Sequence, residues 1–114
     1  MKIERFEDII AWQKAKQLTL EIHAVFKNCR DYGFRDQLQR AVISIMNNIA
    51  EGFERRTNKE FVNFLFIAKG SCGEVRSMLY LATELEYLSK EKFTNFCNLS
   101  LEISRLISGL IKTL

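Results

Sequence analysis

Proline is absent from the 114 residues of this chain, where average usage of about 5% would supply roughly five or six. Nothing therefore removes a backbone donor or fixes a kink, and Pro-rich linkers are excluded. Glycine occurs only five times, so few positions interrupt a long helix. The single histidine, His23, has no H-x-x-x-H or E-x-x-H partner on its segment, which argues against a helical metal site and against histidine acid–base catalysis. Cys29, Cys72 and Cys97 are odd in number and widely spaced, without a C-x-x-C pair. They support neither a disulfide framework nor a zinc ribbon, and they fit a reducing cytoplasm. No run approaches the ~20 apolar residues of a membrane-spanning helix. The start MKIERFEDIIAW lacks the uninterrupted apolar stretch and small-residue cleavage site of a signal peptide.

What is present reads as one all-α domain over residues 1–114, a length that buries a single core. The apolar fraction of 47% and charged fraction of 27% are those of a globular protein. Apolar residues recur at helical spacing four times. Ile9, Trp12, Ala15, Leu18, Ile22, Val25, Phe26 and Cys29 predict a helix over about 7–29. Leu38, Val42, Ile45, Ile49 and Phe53 predict a second over about 34–55, after the glycine-containing segment RDYGFRD. Thr57-Asn58-Lys59-Glu60 has the form of a capping box and opens a third helix, about 58–88, with Phe61, Leu65, Ala68, Cys72, Val75, Leu79 and Ala82 on its stripe. Ser89 caps a fourth, about 90–112, carrying Phe93, Phe96, Cys97, Ile103, Ile107 and Leu110. Four such helices joined by short links bury their stripes only against each other, as an antiparallel up-down-up-down bundle.

The polar residues are read against that bundle. Arg40, Ser44, Asn48, Glu51 and Arg55 form one line along helix two. With a turn near Arg56-Thr57, facing residues on helices two and three have numbers summing to about 113, since both helices rise equally. This register sets Arg40 against Glu74 as an ion pair, Ser44 against Gly70 and Asn48 near Leu65. Gly70 and Gly73 each cost about 1 kcal/mol in a helix interior relative to alanine. They are expected to permit close approach of another backbone, within the chain or across a subunit interface.

The segment RAVISIMNNIAEGFERRTNKEFVNFLFIAKGSCGEVRSML, residues 40–79, resembles the signature of the four helix bundle protein family of many bacteria. Phe6, Asp8, Trp12 and Ala15, and the approach Tyr32-Gly33-Phe34-Arg35-Asp36-Gln37-Leu38, are similar too. One departure is the absence of the proline that commonly precedes helix two; Asn28-Cys29-Arg30 stands there instead. Members of that family are encoded in intervening sequences of large-subunit ribosomal RNA genes. A related branch comprises the accessory variability determinants of diversity-generating retroelements. The resemblance implies a homopentameric ring, with RNA or DNA and a protein such as a reverse transcriptase as partners.

No catalytic constellation is read from the residues, and G-S-C-G lies in a helical pattern without the strand that precedes a phosphate loop. The chain is therefore expected to be no enzyme and to need no cofactor or metal. Its net charge of +3 permits anionic partners without demanding one. The function expected is that of an oligomeric RNA-binding or accessory protein whose phosphate contacts come from Arg55, Arg56 and Lys59, beside the start of helix three. Ring assembly would repeat that basic patch five-fold. The alternative is a structural or protein-binding oligomeric scaffold without nucleic-acid affinity.

Overall fold

The computed structural model describes residues 3–114. It holds a 3-10 turn, Phe6–Asp8, followed by α1 (Ile10–Phe26), α2 (Tyr32–Phe53), α3 (Asn58–Glu84) and α4 (Lys90–Lys112). The four apolar stripes converge on one core, in which Leu18, Ile22, Leu38, Ile45, Ile49, Leu65, Leu79, Ile103 and Ile107 are fully buried. Each helix packs on two others, in the order α1, α2, α3, α4 and back to α1, so that α1 and α3 lie diagonally. Across the packed pairs Thr19 meets Val42 and Phe26 meets Phe34, Ser44 meets Ser71 and Phe53 meets Phe61, Cys72 meets Ser100 and Tyr80 meets Phe93. The molecule measures 43 × 22 × 19 Å.

Local chemistry sets the helix ends. The first helix is shorter than its periodicity predicts, because Ile9 is extended (φ −75°, ψ 120°) and separates the 3-10 turn from α1. Phe6 in that turn packs edge-on against Trp12 at 5.2 Å, and Gln13 Nε2 donates to the Glu7 carbonyl. Helix α2 begins at Tyr32, ahead of the expected start, since the Asp31 carboxylate accepts from the Phe34 N–H at 3.2 Å. The other Asp31 oxygen accepts from the Tyr87 hydroxyl at 2.8 Å, tying the first link to the third. That bond to an acceptor holds the Tyr87 phenol above its ordinary pKa.

Thr57 and Ser89 cap α3 and α4 as read from the sequence, accepting from the N–H groups of Glu60 and Lys92. The Glu60 carboxylate, however, receives the Thr57 hydroxyl at 3.3 Å and not the Thr57 backbone N–H.

Helix α3 ends at Glu84, earlier than the apolar pattern predicts. Glu86 takes φ 63°, the Tyr87 N–H reaches back to the Ala82 carbonyl, and the Glu86 N–H to that of Thr83. This is a Schellman stop built on glutamate where glycine is the usual residue. The left-handed conformation costs an L-residue roughly 1–2 kcal/mol. Glu86→Gly is therefore expected to raise the unfolding free energy by about 0.5–1 kcal/mol in urea titration, and a decrease would refute the strain.

Candidate nucleic-acid interface

The link between α2 and α3 is only Glu54 to Thr57, because α3 is capped at Thr57 as soon as α2 stops at Phe53. This tight turn exposes Arg55, Arg56 and Lys59 together at one end of the bundle. The Thr57 carbonyl and hydroxyl take the N–H groups of Phe61 and Glu60. The N–H groups of Asn58 and Lys59 are left at the positive end of the helix dipole, without intrahelical partners.

Beside the turn lies a cavity of about 380 Å³. Arg55, Arg56, Thr57 and Asn58 form one side of it, and Ile3, Leu110, Thr113 and Leu114 form another. Lys59 does not line it, so of the three basic residues expected to act together the cavity gathers two. The guanidinium of Arg55 sits 4.8 Å from the centre of the Phe64 ring and 4.0 Å from the Glu51 carboxylate. Arg56 and Lys59 make no ion pair among the described residues. An anion at this corner would meet two guanidinium groups, one of them held by an aromatic face and a carboxylate, the other unrestrained. The contribution of the chain end to this site was not legible from spacing, because it arises from where α4 finishes in space.

The polar line on α2 divides. Ser44, Asn48 and the buried Ser71 are joined: Ser71 Oγ donates to Ser44 Oγ at 3.0 Å, and Asn48 Nδ2 donates to the Ser44 carbonyl and hydroxyl at 2.8 and 2.9 Å. Ser44 thus faces Ser71 and not Gly70, and Asn48 is satisfied on its own helix. This register turns Arg40 away from Glu74: both are exposed, and no ion pair joins them. Glu51 engages Arg55 instead.

A second interior polar cluster was missed. Ser100 is completely buried, donates to the Cys72 carbonyl at 3.1 Å, and faces the Arg76 guanidinium at 3.5 Å. Its position three residues after Cys97 and three before Ile103 was a usable signal, since it falls on the apolar stripe. Burial pushes the Cys72 thiol up to about 11, against the opposing pull of the Arg76 charge. Burial also raises Cys97.

Gly70 has nothing within 4 Å of where a Cβ would stand, and Gly73 only the flexible end of Arg76 at 3.8 Å. The close approach expected of these two is therefore not made within the chain. It is made by Gly52, where a Cβ would fall 2.6 Å from Phe64 Cβ.

These features define an all-α four-helix protein with a basic corner at one end; among the described residues no helix is long and apolar enough to cross a membrane and no His, Cys, Asp and Glu cluster could hold a metal ion. The chain belongs to the 23S rRNA-intervening sequence protein family, whose profile matches residues 7–109. Its structure is similar to the crystal structure of a protein of unknown function from the S23 ribosomal protein family of Bacteroides thetaiotaomicron. The TM-score is 0.84 at 25% identity, over 90% of this chain and 99% of that one. No curated protein matches the sequence.

Proposed function

We propose that the chain is a non-enzymatic, cytoplasmic, antiparallel up-down-up-down bundle that assembles into a homopentameric ring and binds RNA or DNA through phosphate contacts at the α2–α3 corner. The observation that carries this reading is the cavity beside Arg55 and Arg56, set against the first turn of α3. Two arginines and the first residue of α3 border it, a combination suited to phosphate. The family description, which refers to an intervening sequence of 23S ribosomal RNA, supports nucleic acid as the partner class, although it names a gene location and not a ligand. A protein partner, such as a reverse transcriptase, would add to the ring rather than replace the contact.

Replacing Arg55, Arg56 and Lys59 together by alanine is expected to weaken binding to unrelated RNA sequences alike and to flatten the salt dependence, by up to about three phosphate contacts per chain. Unchanged affinity with an unchanged salt slope would remove the corner as the site.

One observation favours the scaffold reading. Phe66, Ile67, Tyr80 and Leu81 stand exposed on the outer side of α3, a surface suited to protein and not to phosphate. Under that reading, neither parent nor triple variant binds RNA at low salt.

A further inference from the structure

Among the apolar surfaces that the described residues leave uncovered, two are of unlike shape. The first is a groove of about 660 Å³ between the N-terminal segment with the start of α1 and the last turns of α4. Ile3, Ile9, Ile10, Leu106 and Leu110 line it, Gly109 forms part of its wall, and Ile10 is 55% exposed. The second is convex: Phe66 and Ile67 on α3 are 55% and 52% exposed. Phe66 is the one phenylalanine of nine that the fold leaves exposed. One turn further along α3, Gly70 offers open space to anything that approaches.

We infer that copies of this chain join head to tail, Phe66 and Ile67 of one entering the α1–α4 groove of the next. The inference rests on the oligomeric part of the proposed function and assigns its interface. Shape supports it, since a pair of bulky side chains beside a glycine fits a groove that itself contains a glycine without a neighbour, Gly109. Charge supports it as well. The groove carries Glu4, Asp8 and Glu102 against Arg105, and Glu102 is already paired with Lys14 at 3.2 Å. The exposed acids Glu4 and Asp8 are left to meet Lys69, three residues from Phe66.

Position supports it further. The groove lies between α1 and α4 and the protruding pair stands on α3, so the two surfaces share no residue and one copy can use both at once. Both also lie toward the end of the bundle where the α2–α3 link, Ile3 and the C-terminal residues meet. Phe66 is eight residues into α3, about 12 Å from that end, and the groove covers the final turns of α4. A contact between unlike surfaces at similar height repeats by rotation without climbing, which closes a ring where a rising contact would give a filament. Every copy would then present Arg55 and Arg56 on the same rim.

The test uses two kinds of full-length variant. Phe66→Glu with Ile67→Glu removes the protrusion and leaves the groove. Gly109→Phe, with Ile10→Glu as an independent second choice, blocks the groove and leaves the protrusion. All four positions face solvent or open space, so the fold should tolerate them. By light scattering the parent has a several-chain mass, each variant alone has the mass of one chain, and an equimolar mixture of the two kinds has the mass of two chains. Each mixed pair then retains one intact contact. Either variant keeping the parental mass, or a mixture that stays at one-chain mass, overturns the assignment. A parent that is itself a single chain overturns the oligomeric reading and this inference with it.

Discussion

Gly52→Ala is expected to lower the unfolding free energy by about 1–3 kcal/mol, whereas Gly70→Ala raises it by up to about 1 kcal/mol. The two substitutions are the same chemical change on long helices, and propensity alone would give both the same sign. The surroundings separate them. A methyl group at Gly52 would stand 2.6 Å from Phe64 Cβ, 3.0 Å from Phe61 Cδ1 and 3.4 Å from the Phe61 carbonyl. Phe64 Cβ is fixed to the backbone and cannot rotate aside, so α2 and α3 must separate near their shared turn, where Phe53 also packs edge-on against Phe61 at 5.9 Å. Interiors packed at crystal density resist such separation. At Gly70 the added methyl meets nothing within 4 Å. Urea unfolding of both variants beside the parent measures the difference, and a stabilised Gly52→Ala would contradict the packing described for the corner.

A second expected result is a loss of stability in alkali, by about 2–3 kcal/mol between pH 8.5 and pH 11, assigned to Cys72. The folded thiol holds its proton up to about 11 because its side chain is fully buried. The unfolded thiol releases its proton near the ordinary value of about 8.5. Between those values the unfolded state binds fewer protons than the native one, so stability is fully present below the lower value and declines as pH rises through the window. Cys97, raised in the same direction, and Tyr87, held up by Asp31, add to the decline. Comparing the parent with Cys72→Ala isolates the one thiol. The variant loses stability at every pH through the cavity it creates, yet its urea midpoint should fall less steeply from pH 8.5 to pH 11. Equal slopes would show that Cys72 is not the titrating group.

The fold was legible because apolar side chains repeat at helical spacing with little to interrupt them. Leu65, Leu79, Ile103 and Ile107 announce their burial by position alone, and Thr57 and Ser89 mark helix starts because a hydroxyl acts within three residues of itself. Stops were less legible. The end of α3 depends on Glu86 adopting φ 63°, a conformation that glutamate does not advertise. Among the polar residues, Ser44 and Asn48 share one line by their spacing, but what they meet does not follow from spacing, because facing register depends on how the helices rotate about their axes. A rotation of one position brings Ser71 to Ser44 and carries Arg40 away from Glu74.

By itself, then, the sequence determined four helices, their stripes, two of their caps and a basic cluster at the second turn, all set by interactions that span a few residues. Only the tertiary structure decided which glycine is crowded and which is open, that the chain end walls the cavity beside Arg55 and Arg56, and that Phe66 and the α1–α4 groove are left uncovered. These depend on helix rotation and on where distant segments finish in space, and burial of any one apolar stripe is nearly as favourable over a range of such rotations until the side chains of all four helices interlock.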